Sequence, residues 1–108
     1  MTLAEFDAEA RALVDEEVSR LRALSFQAAG GLPACDGRHV LIGGRDASLT
    51  TFRYASPYGL DGAVLVVVLA ALPRFFGMTA RHIERGLVFS HTDQPREATQ
   101  TELENSGG

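Results

Sequence analysis

The chain has 108 residues, 45% of them hydrophobic, with ten basic residues against fourteen acidic ones and a formal net charge of −4. That length bounds it to one domain, residues 1–108, able to bury a core without disulfides, and the composition excludes wholesale disorder. An acidic balance gives no general attraction to phosphate, so non-specific nucleic-acid binding is not expected, although all ten basic residues are arginine.

The opening Thr2-Leu3-Ala4-Glu5 fits a capping box, with Thr2 as the cap and Glu5 reaching back. From there to Leu24 the chain is rich in Ala, Leu, Glu and Arg and holds no Gly or Pro. On a helical period Leu3, Phe6, Ala10, Leu13, Val14, Val18, Leu21 and Leu24 share one stripe, which predicts a long amphipathic helix. Ser25 restarts a short turn through Ala29, and Gly30-Gly31 with Pro33 stops it.

The remainder reads as strands. Arg38–Ile42 is the first, turned at Gly43-Gly44, where Gly supplies positive φ for a hairpin. Ala47–Ala55 alternates as the second, and a loop over Ser56–Gly62 leads to the third. That third strand, Ala63–Leu72, is ten apolar residues in a row, AVLVVVLAAL. Ten are too few to cross a bilayer as a helix, which needs about 20, and Val-rich sequence between Gly62 and Pro73 favours a strand. Met78–Phe89 contains the fourth strand, with a break at Gly86 in view. Strand is preferred to helix over Thr79–Arg85, because a helix there leaves the apolar strand short of neighbours. Thr92–Pro95 is a turn, Thr99-Gln100-Thr101-Glu102 caps a last helical turn, and a polar tail starts at about residue 104.

The expected architecture is α+β: a long N-terminal helix packed on a four-stranded antiparallel sheet in an α-β-β-β-β meander. This layout is similar in outline to cystatin-like folds. A helix over Thr2–Leu24 spans about 33 Å and the ten-residue strand about the same, so one can lie along the other. One helix of about 10–12 Å diameter cannot cover four strands about 4.8 Å apart, and it leaves the opposite face bare. A homodimer packed through the sheet answers that exposure, with Val64, Val66 and Val68 on the open face and Phe75 and Phe76 beside it as interface residues. The competing cover is the C-terminal segment with Leu103, which looks too polar after His91 to hide a whole face.

Glu17 falls near the midline of the helical stripe, among Ala10, Leu13, Leu21 and Leu24. A carboxylate aimed at a core costs several kcal/mol unless it is paired or protonated. Arg53, in the second strand, is the expected partner. The pair then either serves a small-molecule-binding protein or enzyme, as a pKa-shifted acid or a ligand anchor in a helix–sheet cavity, or is a structural ion pair; alternatively the helix rotates Glu17 to the rim, and the structural readings are the commoner ones.

Other residues offer less. His39, His82 and His91 are too dispersed for a zinc pattern, and Cys35 with His39 makes at most half a site, so neither a metal nor another cofactor is assigned. The same Cys–His pair lacks an orienting third group, and neither Gly-Gly pair fits a phosphate loop, so no catalytic set is assigned. Arg74, Arg81 and Arg85 form a small basic cluster without interleaved aromatics, the pattern of a solvated face. The start lacks a basic segment followed by an apolar stretch, so no signal peptide is expected, and a lone cysteine suits a reducing cytoplasm. A terminal Gly107-Gly108 resembles the tail of ubiquitin-like modifiers and sulphur carriers, which implies a tail entering an adenylating enzyme. That family's fold begins with a hairpin, whereas this chain begins with a helix. The function expected from the residues is a small non-enzymatic binding or interaction protein.

Overall fold

Twenty residues without a helix breaker form α1, Leu3–Arg22, and its apolar stripe decides how it docks. Phe6, Ala10, Val14, Val18 and Leu21 are buried, while Leu13 and Leu24 are half-buried at the margin of the same cluster. The computed structural model describes residues 3–55, 62–72, 81–91 and 94–105. The expected Thr2 cap, Phe75, Phe76 and the Gly107-Gly108 pair lie outside these residues.

Ser25 caps a short α2, Phe26–Gly30, by accepting a hydrogen bond from the Ala28 N–H at 3.0 Å. Five strands follow: β1 (Cys35–Ile42), β2 (Arg45–Ala55), β3 (Val64–Leu72), β4 (Arg81–Phe89) and the two-residue β5 (Arg96–Glu97), and then α3 (Gln100–Asn105). The strands form one antiparallel sheet in the order β1-β2-β3-β4-β5. This is the expected α+β meander with one strand more than the four expected. β1 begins at Cys35, three residues earlier than the alternation indicates, and β4 runs unbroken through Gly86. The β1–β2 hairpin closes on the Ile42–Arg45 pair, with φ of 60° at Gly43 and 78° at Gly44, as a two-residue turn of the primed kind demands.

The sheet separates two clusters. On the near face, α1 lies mainly across β3 and β4 and covers Val64, Val66, Val68, Ala70, Leu72, Leu87 and Phe89. Val64, Val66 and Val68 are therefore core residues beneath the chain's own helix, not an open face, which corrects their assignment as interface residues. Strand alternation alone does not say which of two apolar faces a helix will take.

On the far face Ala98 and Leu103 close over Ala63, Leu65, Val67 and Val88, flanked by the partly buried Phe52 and Tyr54. The rings of those two aromatics lie 6.4 Å apart in a roughly parallel arrangement. The C-terminal segment is thus the second cover, and α3 extends helix into what the composition marks as tail. Gly86 makes the close approach possible: a Cβ there would stand 2.8 Å from Leu103 Cδ2, 3.1 Å from Ala98 Cβ and 3.3 Å from Leu65 Cδ1. Its carbonyl accepts the Ala98 N–H at 2.7 Å.

Polar contacts fasten this cover. The Thr99–Glu102 capping box forms as expected, with the Glu102 N–H donating to Thr99 Oγ1 at 3.2 Å and the Thr99 N–H donating to Glu102 Oε1 at 2.8 Å. Arg96 grips both oxygens of Glu102 at 2.8 and 2.7 Å. Arg85 ties α1 to β5, donating to Asp15 at 2.6 Å and to both Glu97 oxygens at 2.7 and 2.6 Å. The Arg96 hydrogen bonds, helped by the Thr99 N–H, hold the Glu102 carboxyl at about 2, against an ordinary value of 4.5. A carboxylate depressed by folding stabilises the fold fully above its unfolded value, and that contribution fades as pH falls from about 4.5 through about 2. Glu102→Gln is expected to lower stability by about 1 kcal/mol at neutral pH and to flatten this part of the acid limb. Urea midpoints from pH 7 to pH 2 measure both effects.

Candidate functional site

The helices leave the outer strand β1 largely exposed. Of the eight residues of β1, only Ile42 is buried and six are exposed. Because α1 settles over β3 and β4, its margin stands above β1 and β2 as one wall of a groove of about 230 Å³. Glu17 and Arg20 line that wall, Asp36 and Arg38 come from β1, and Leu49 and Thr51 come from β2. The β1–β2 register sets Asp36 opposite Thr51 and Arg38 opposite Leu49, so all four share the near face.

Glu17 does not pair with Arg53. It accepts hydrogen bonds from Arg20 one helical turn on, at Nε (3.2 Å) and at a terminal guanidinium nitrogen. The stripe centres on Val14, Val18 and Leu21, so Glu17 sits at the rim, with a side chain 14% exposed against 64% for Arg20. The Arg20 hydrogen bonds hold the Glu17 carboxyl below its usual range; burial opposes this, and the charges of Arg20 and Arg38 reinforce it. The same contact raises Arg20. Arg53 lies two residues beyond Thr51 on the same face, but its Nε donates to the Leu32 carbonyl at 2.6 Å and fastens the chain after α2 to β2. The two predicted ligand residues therefore belong to separate structures.

Two arginines facing two carboxylates make the groove nearly neutral as a whole, with its charges in an ordered arrangement. It is smaller than the roughly 300 Å³ at which drug-sized pockets begin. Of the groove residues the sequence points to Glu17, and not to Arg20, Asp36, Arg38 or Thr51. The i, i+3 spacing of Glu17 and Arg20 was the available signal for the true partner, and Asp36-Gly37-Arg38 put opposite charges on one strand face.

The far face of the same end is more apolar. Leu69 and Ala71, on β3, are only half-buried and lie outside the cluster that Leu103 closes. Leu41, on β1, is 63% exposed, the exposed large hydrophobic residue among those described. An open hollow of about 260 Å³ lies between His39, Asp46, Ala47, Ser48 and Ala71, with His39 Nε2 3.0 Å from Asp46 Oδ1. Cys35 is exposed, and with His39 it shares the far face of β1. Four residues along an extended strand separate them by about 13 Å, too far to share a metal ion or pass a proton directly. No three His, Cys, Asp or Glu side chains gather as a metal site among the described residues, and no helix is long and apolar enough to cross a membrane. Comparison of the chain with protein-family models, with curated proteins and with solved structures finds no match.

Proposed function

We propose that the protein is a small cytoplasmic binding or interaction module, without catalysis of its own, that works as a homodimer joined through its sheet. The observation that carries this reading is the bareness of β1. Its outer edge has no partner strand among the described residues, and six of its eight residues are exposed. Natural sheets rarely leave a long edge in that state without a partner or a cover, and a two-fold partner closes it without leaving an open end for further growth. The exposed Leu41 and half-buried Leu69 and Ala71 lie on the far face of the same end. A lone cysteine is consistent with a reducing compartment.

A second reading rests on the groove itself, whose paired charges suit a small polar ligand bound by Glu17, Arg20, Asp36 and Arg38. Native mass spectrometry of the purified protein separates the two. Two chains with no added mass are expected. A single chain that retains a small molecule would favour the groove as the working site.

A further inference from the structure

We propose that two copies pair antiparallel along β1, in a register whose two-fold axis passes between the two copies of Gly37 and sets Asp36 of each copy beside Arg38 of the partner subunit. This rests on the homodimer reading and specifies its contact.

The backbone decides which groups are free. The Arg53 N–H donates to the Ala34 carbonyl at 3.0 Å, and the hairpin closes two residues apart on Ile42 and Arg45. In an antiparallel ladder, residues alternate between turning their N–H and C=O toward one neighbour and toward the other. Ala34, Asp36, Arg38, Val40 and Ile42 therefore bond to β2, and Cys35, Gly37, His39 and Leu41 present their backbone groups outward. A second β1 can bond to those outward groups.

Side chains then choose among the registers. An axis perpendicular to the sheet keeps near face with near face, so Asp36 and Arg38 meet only near-face residues of the partner. Centring on Asp36 opposes two aspartates, and centring on Arg38 opposes two arginines, both destabilising as direct neighbours. Centring on His39 leaves Arg38 against Val40 and Asp36 against Ile42. Centring on Gly37 alone matches both charges, and it does so at non-hydrogen-bonded positions, where side chains approach closest. Gly37 then faces its own copy with no side chain in the way, and Leu41 comes opposite Pro33 of the partner subunit, where the missing N–H ends the ladder. Asp36 and Arg38 also line the groove, so this pairing sets the two grooves side by side across the axis.

The test uses two charge reversals at exposed positions of the full chain, Asp36→Arg and Arg38→Asp. Each alone turns both opposite-charge pairs into like-charge pairs and is expected to weaken the dimer by about ten- to a hundredfold. Mixed in equal amounts, the two variants are expected to form a heterodimer of near wild-type affinity, because every pair is again of opposite charge. Sedimentation velocity reads the association, and circular dichroism confirms the fold of each variant. As a second measurement, Asp36→Cys and Arg38→Cys variants mixed in a Cys35→Ser background should form an interchain disulfide on mild oxidation, since the register makes these positions non-hydrogen-bonded neighbours with α-carbons about 4.5 Å apart. A wild-type dimer that neither reversal weakens, or a mixture that stays monomeric, overturns this register and leaves the homodimer reading standing. A wild-type monomer ends both.

Discussion

Leu21→Ala is expected to lower the stability of the fold by about 2–5 kcal/mol. Leu21 is 1% exposed, in the cluster that α1 makes with β3 and β4. Truncation removes its burial from water and leaves a cavity that neighbours on a helix and a sheet cannot fill without moving the whole helix. The stripe to which it belongs is the main attachment of α1, so the loss should appear as a shifted denaturant midpoint with an unchanged slope. A loss below about half a kcal/mol would mean that the helix is not fixed by this face.

Gly86→Val is expected to act on the opposite cluster by releasing the C-terminal cover. The first added carbon already meets Leu103, Ala98 and Leu65 at 2.8–3.3 Å, and a branched side chain adds two more in the same place. Either α3 lifts away or β4 shifts, at a cost of about 1–3 kcal/mol or more. Because lifting exposes Leu65, Val67 and Val88, the variant should bind a hydrophobic dye in proportion to its loss of stability. Hydrogen exchange should speed at the Ala98 and Leu103 amides, whose bonds to the Gly86 and Thr99 carbonyls hold the cover in place, while α1 stays protected. Equal loss of protection in α1 would contradict the division of the core into two layers with separate fastenings.

The elements with strong periodicity were legible in the sequence. The stripe of α1 named five residues that are buried, and the Val-rich run announced a central strand covered on both sides. What periodicity could not supply was the identity of each cover. Val66 and Val67 are equally apolar, and only the docking of α1 decides that Val66 lies beneath it and Val67 beneath Leu103. The far cover was underestimated because its composition is polar: Ala98 and Leu103 are two apolar residues in a segment of Thr, Gln and Glu. Two suffice because Gly86 lets them approach the strand backbone directly, and ion pairs from Arg85 and Arg96 hold the segment down.

The candidate site shows the same limit. Glu17 stands out because it interrupts the stripe, but its partner is Arg20 one turn away and not Arg53 across the fold. Local pairs of this kind need no tertiary ordering, so they form wherever the helix places them at a rim. The spacing of Asp36 and Arg38 puts opposite charges on one strand face, but that they line a groove depends on where α1 settles and on β1 being an edge, properties of topology and not of local pattern.

Closure of β1 by a second copy of the chain, as proposed, makes the protein a dimer in solution. Light scattering on the purified protein at tens of micromolar tests this most directly. A particle of twice the 11.6 kDa chain mass is expected; a particle of one chain mass at that concentration would rule the dimer out.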